Sequence, residues 1–211
     1  MQRLSTETVS SATGTLSHFL RPDMTKRDAV CEAALELFAE NGIEATTTRE
    51  IAERAGAAEG TLYRHFKGKQ DLAESLYRRC ADQLRGHLAA ASETATAPAV
   101  RLEALVRGIF TFFDERPTSC TYLLTTQPGD PDEAGEAASA TPLVPFADVL
   151  RDGIEQGAFR DVPVPLAAGW ILSMVQRTVR FLKAGALRME RQAAIDRTVE
   201  AALRLVDERE P

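Results

Sequence analysis

From Thr25 onward, apolar and polar residues alternate with a period near 3.6. Val30, Ala33, Ala34, Leu37 and Phe38 fall on one stripe, with Glu32, Glu36 and Glu40 on the other side. That spacing predicts a first helix, stopped at Asn41-Gly42. Thr47 or Thr48 then caps a short helix through Ile51, Ala52 and Ala55, with Glu50 in its first turn and Gly56 as its C-terminal breaker. A second short helix follows at once, carrying Leu62, Tyr63 and Phe66, and Gly68 ends it. At Lys69 a longer pattern begins in which Leu72, Leu76, Cys80 and Leu84 lie four apart, predicting a connector helix. Beyond Ala97-Pro98 the helical period returns over Val100 to Glu115, Thr118 to Thr126, Leu143 to Gln156, Leu166 to Ala184 and Arg188 to Asp207, and no alternating strand interrupts it.

The expected fold class is all-α: an N-terminal three-helix, helix-turn-helix domain joined by a connector helix to a larger C-terminal helical bundle. Residues 1–23 are rich in Ser and Thr and poor in large apolar residues, so they read as an arm that cannot offset its own ordering entropy. The small domain is expected over 24–87, with its helix-turn-helix at 47–66, and the larger one over 88–211. Residues 128–142 form an acidic segment between two helices of the larger half.

Composition narrows the function. The 211 residues carry a formal charge of −6, which argues against coating nucleic acid by bulk positive charge, so any DNA contact must be local. Cys31, Cys80 and Cys120 are odd in number and far apart; they suggest neither a disulfide framework nor a zinc site, and they fit a reducing cytoplasm. The N-terminal residues lack the apolar run of a secretory signal, and the uncharged stretch from Val162 to Gln176 is too short to span a membrane and reads as buried core.

The stretch Thr47 to Leu72 carries the chemistry: two short helices joined by a tight Gly-containing turn, the second both basic and aromatic. Thr61 and Tyr63 offer hydroxyls, Arg49 and Arg64 forked cations, and Lys69 opens the next helix, where exposed N–H groups favour a phosphate. Arg49, Arg54, Arg64, Lys67 and Lys69 stand against Glu50, Glu53 and Glu59, a local balance of 5 − 3 = +2 inside an acidic chain. Glu59 has two readings, the N-cap of the second helix or a reader of cytosine amino groups, and the cap is preferred. For His65 the competing reading is a partly buried structural histidine.

With Ile51-Ala52, Ala55-Gly56, Gly60-Thr61-Leu62-Tyr63, His65-Phe66 and Lys69 at these spacings, residues 25–87 resemble the DNA-binding domain of the TetR family of bacterial regulators. The resemblance implies phosphate or base contacts from Thr48, Arg49, Thr61, Tyr63, His65 and Lys69, and part of the sequence readout from Glu59 and Gly60. It further implies a homodimer on a near-palindromic double-stranded DNA operator, released by a small-molecule effector.

The larger half contains no His, and no GxSxG, HExxH or GxxxxGK[ST] pattern occurs anywhere, so an enzymatic role has no support and no cofactor or metal is expected. Asp130, Asp132 and Gly135 mimic part of a calcium loop, but Thr141 stands where its bidentate Glu belongs. Candidates for an apolar effector pocket are Phe110, Phe113, Tyr122, Phe146, Trp170 and Met174. Arg177 is the polar group on the face shared by Trp170, Met174 and Phe181, and its competing reading is an arginine reaching solvent or a dimer partner. Ile195, Val199, Leu203 and Val206 make a stripe on the last helix, the candidate dimer interface, although burial in the parent domain would serve it equally. The rival function is a helical small-molecule-binding or adaptor protein whose helix-turn-helix does not touch DNA.

Overall fold

The computed structural model describes residues 25–126 and 143–207; the expected N-terminal arm and the acidic segment, with its calcium-like residues, lie outside them. The described residues contain no strand and form nine helices: α1 (Lys26–Asn41), α2 (Thr48–Arg54), α3 (Gly60–His65), α4 (Lys69–Ser92), α5 (Pro98–Glu115), α6 (Pro117–Thr125), α7 (Leu143–Glu155), α8 (Val164–Lys183) and α9 (Arg191–Val206).

Local chemistry sets the first boundaries. Thr25 caps α1 in a reciprocal box with Asp28, and Thr47 caps α2 in the same way with Glu50. These hydroxyl and backbone bonds hold both carboxyl groups below the usual carboxylate range, with Thr25 and Thr47 as the respective main causes. Gly56 has φ +60 just past α2, a left-handed conformation that lets the chain turn directly towards α3.

α1, α2 and α3 close around Phe38, Ile51 and Leu62, all at most 1% exposed. The apolar interior does not stop there. It continues through Leu72, Leu76, Cys80, Leu84 and Leu88 of α4 into α5, α6, α7 and α8 as one cluster. α4 packs along α5, and α1 against α6. The boundary expected at 87/88 thus falls inside α4, and the two halves share one core.

Tyr122 of α6 makes the most specific link between the halves. Its hydroxyl donates to the Ala73 carbonyl of α4 at 2.8 Å, and its ring stacks on Phe38 of α1 with centroids 6.0 Å apart. Burial pushes the Tyr122 phenol well above its ordinary range, so it remains a neutral donor. Polar ties hold α9 on α5: Arg107 pairs with Asp196 at 2.8 Å, and Arg191 reaches both oxygens of Asp114 at 2.6 and 2.7 Å.

Three expectations for the larger half are corrected. Phe110, Tyr122 and Phe146 are buried and Phe113 is partly buried, but Trp170 is 45% exposed and Arg177 is exposed, on the face of α8 turned from the core. Met174 lies with Arg177 and Phe181 in an open groove between α8 and α9, so Trp170, Met174 and Arg177 share no interior pocket with the other four. Nor does the Val162 to Gln176 stretch lie wholly in the core, since Leu166 is 48% exposed. The dimer-face stripe fares in the opposite way: Ile195, Val199 and Val206 are buried and Leu203 packs against the core of its own chain, because that face of α9 lies on α5. Helical period identified both faces, but period alone does not say which one meets the parent domain.

Candidate nucleic-acid interface

α2 and α3 form a helix-turn-helix whose turn is tied by backbone bonds, Ala57 N–H to Ala52 C=O at 3.0 Å and Thr61 N–H to Ala58 C=O at 2.8 Å. Ile51 and Leu62 anchor the two helices from beneath and are fully buried. Because those residues fix the inner face, the outer face of α3 presents Tyr63, Arg64 and His65 to solvent, with Tyr63 at 56% exposure. His65 is exposed, which removes the reading of a structural histidine. Lys67 follows on the same exposed end, and among the described residues no side-chain partner holds Arg64 or Lys67. Arg27 of α1 lies over the Phe66 ring at 5.4 Å, placing another cation beside the end of α3.

The five local cations separate by what they already touch. Arg49 pairs with Glu53 at 2.8 Å on a surface where both side chains are more than 60% exposed. Such a pair is weak and can open towards a phosphate. Arg54 turns the other way, towards Glu36 at 3.3 Å and Glu40 at 3.5 Å of α1. Lys69 departs from expectation: its ammonium donates to the Glu44 and Thr46 carbonyls at 3.2 and 3.0 Å, tying the start of α4 to the α1–α2 turn. Two of its three N–H groups are therefore committed. Asp71 also accepts from the Lys67 N–H at 2.8 Å, so a carboxylate already occupies the start of α4 where a phosphate was expected.

Three further site residues sit differently from the sequence reading. Glu59 precedes α3 in helical conformation and makes no cap bond. Instead it accepts the Thr48 hydroxyl at 2.7 Å, which links the head of α3 to the first residue of α2. Thr48 thereby commits its only proton inside the protein. Thr61 is only 8% exposed, so its hydroxyl is not displayed towards a groove as expected. Gly60 is exposed, and a Cβ there would meet no atom of the chain, so internal packing does not demand glycine.

Of the residues expected to meet DNA, Arg49, Tyr63, Arg64 and His65 are each exposed. Lys67, counted in the local charge but not among the expected DNA contacts, and Arg27, unmarked in the sequence, lie at the end of α3. Lys67 was visible as the residue after the aromatic anchor Phe66, whereas Arg27 gave no signal, because nothing in its spacing says that α1 begins beside α3.

Comparison with known proteins agrees with this architecture. Residues 30–76 match the profile of the bacterial regulatory proteins of the tetR family. The HTH-type transcriptional repressor KstR2 of Mycolicibacterium smegmatis is 30% identical over 76% of this chain and 81% of its own. Among solved structures, a tetR-family regulatory protein from Rhodococcus RHA1 superposes with a TM-score of 0.72 at 26% identity, covering 89% of this chain and 100% of that one. The ketosteroid transcriptional regulator KstR2 of Mycobacterium tuberculosis superposes at 0.63 with 27% identity, covering 88% and 96%. With a relative this similar over most of both lengths, and the helix-turn-helix built as described, the chain belongs to the TetR family and is a DNA-binding transcriptional regulator, not an enzyme.

Proposed function

We propose that the protein is a cytoplasmic, homodimeric repressor that grips a near-palindromic operator through two copies of α3 and lets go when a small apolar effector enters its C-terminal bundle. The observation that carries the DNA reading is the exposed run Tyr63, Arg64, His65 and Lys67 along and after α3 in an otherwise acidic chain. Cations and hydroxyls there hold the phosphates, with Arg49 joining them once it leaves Glu53. Gly60, bare and exposed at the head of α3, admits the close approach of a base edge or sugar. Lys69 supports this grip by fixing α4 to the α1–α2 turn, with one N–H left over.

For pairing, the exposed face of α8 and the connection after it supply the surface: Leu166, Trp170, Phe181 and Met189 are each more than 40% exposed and apolar. A patch of that kind favours burial against a second copy across a two-fold axis. The pairing sets the two α3 helices about one DNA turn apart, roughly 34 to 36 Å.

An apolar effector acts by repacking the aromatic interior of α5, α6 and α7 around Phe110, Tyr122 and Phe146. Any shift of α6 pulls on α4 and α1 through Tyr122. A tenfold loss of operator affinity requires about 1.4 kcal/mol of coupling. Because the relative KstR2 is described as a ketosteroid regulator, steroid-derived compounds are the first effector class to try.

Footprinting on the DNA flanking the protein's own gene, with sedimentation of the same sample, tests the reading. A protected, two-fold symmetric site bound by a dimer supports it. A monomer that protects nothing at low salt returns the protein to the adaptor alternative.

A further inference from the structure

The Glu59 carboxylate is the least expected group on the DNA-facing surface. It is exposed, it does not cap α3, and its sole hydrogen bond among the described residues is the 2.7 Å bond from the Thr48 hydroxyl to Oε1. Oε2 accepts from no described residue. The neighbouring cation Arg49 is engaged by Glu53 at 2.8 Å, although it feels the Glu59 charge. A carboxylate at the head of a recognition helix is repelled by flanking phosphates, so it harms binding unless the duplex offers it a donor.

In the major groove only two base groups donate, the N4 amino of cytosine and the N6 amino of adenine. An ionised carboxylate has acceptors only. At adenine its second oxygen would face the N7 acceptor beside N6, whereas cytosine carries no acceptor next to N4. Guanine and thymine present acceptors and repel it outright. We propose that Glu59 reads a cytosine in each operator half-site, held in its reading position by the Thr48 hydroxyl. Glu59 is thus a specificity residue and Thr48 a positioning residue that acts through it.

This inference rests on the operator-binding reading above and adds a chemical identity to one base of that operator. The Thr48 hydroxyl donates its hydrogen bond to Glu59, so it does not donate to a phosphate while the pair stands. The bond also joins α2 to α3, fixing the carboxylate relative to both helices.

The test is selection from a library of randomised duplexes by the full-length protein, followed by titration of the selected duplex and its single-base changes. Wild type is expected to enrich a half-site with an invariant C·G pair at one position, and replacing that cytosine by thymine should weaken binding about tenfold or more. Glu59→Gln should move that position alone to adenine, since an amide pairs with N6 and N7 together, leaving the other positions unchanged. Thr48→Val should reduce discrimination at the same position several-fold, and Thr48→Ser should restore it. If Glu59→Gln and wild type select the same motif, or if Thr48→Val leaves the cytosine preference intact, the assignment is overturned. Failure of wild type to enrich any motif would instead strike the operator-binding reading, and this assignment with it.

Discussion

Tyr122→Phe removes a fully buried polar bond that ties α6 of the C-terminal half to α4 beneath the helix-turn-helix. The hydroxyl donates at 2.8 Å to Ala73 C=O, and the residue is fully buried. The Ala73 carbonyl lies inside α4 and keeps its own helical N–H partner, so removing the hydroxyl strands no buried acceptor. The loss is then that of an ordinary neutral hydrogen bond, about 1 kcal/mol, which lowers the melting temperature by roughly 2 to 4 °C in a chain of this size. Tyr122→Leu also removes the stacking on Phe38 and leaves a void, at a cost of about 3 kcal/mol or more. Urea unfolding of Tyr122→Leu, Phe38→Leu and the double variant forms a cycle that extracts the ring contact, expected at about 0.5 to 1.5 kcal/mol. Because α6 is joined to α1 and α4 at this residue, Tyr122→Phe should also reduce the change in operator affinity caused by effector. A Tyr122→Phe protein as stable as wild type, with additive Leu variants, would refute the view that Tyr122 bolts the halves together.

Gly153→Ala places a Cβ against the Phe159 ring, which is itself buried, so overpacking should cost about 1 to 3 kcal/mol in urea unfolding, while Gly60→Ala, in open space, should cost little. Lys69→Met keeps the stem but frees the Glu44 and Thr46 carbonyls. It should lower stability by about 1 kcal/mol and speed hydrogen exchange in the α1–α2 turn, and unchanged exchange there would count against the tie. Burial pushes the Cys120 thiol up to about 12, whereas an unfolded thiol ionises near roughly 8.5. Above that lower value the unfolded chain binds fewer protons than the folded one, so stability should fall between about pH 8.5 and 12. The urea midpoint should accordingly drop from about pH 7.5 to about pH 10, and less so in Cys120→Ala.

The helices and the reading head were legible because their signals are local. Thr25 with Asp28 and Thr47 with Glu50 announce two capping boxes, and Gly56 and Phe66 mark the turn and its anchor. What stayed hidden was set by tertiary packing. The stripe Trp170, Met174, Arg177 and the stripe Ile195, Val199, Leu203 look alike by period. Only the placement of α9 on α5 sends the second inward and leaves the first outside. The bonds of Lys69 and Glu59 stayed hidden for the same reason: their partners, Thr46 and Thr48, lie 23 and 11 residues away and emerge only when α2 folds back. Even the domain boundary was obscured by an interior that runs unbroken along α4.

In the proposed function a few exposed cations at the α3 end let an otherwise acidic protein grip the DNA backbone. Duplex binding measured over a range of salt concentrations, for wild type and for the Arg64→Gln, Lys67→Gln double variant, tests it most directly. Both side chains are exposed and lack partners among the described residues, so the double variant should fold as wild type does. The slope of log affinity against log salt should become shallower by about 1.8 per bound helix-turn-helix, because about two phosphates there are no longer neutralised. An unchanged slope, with affinity preserved, would contradict it.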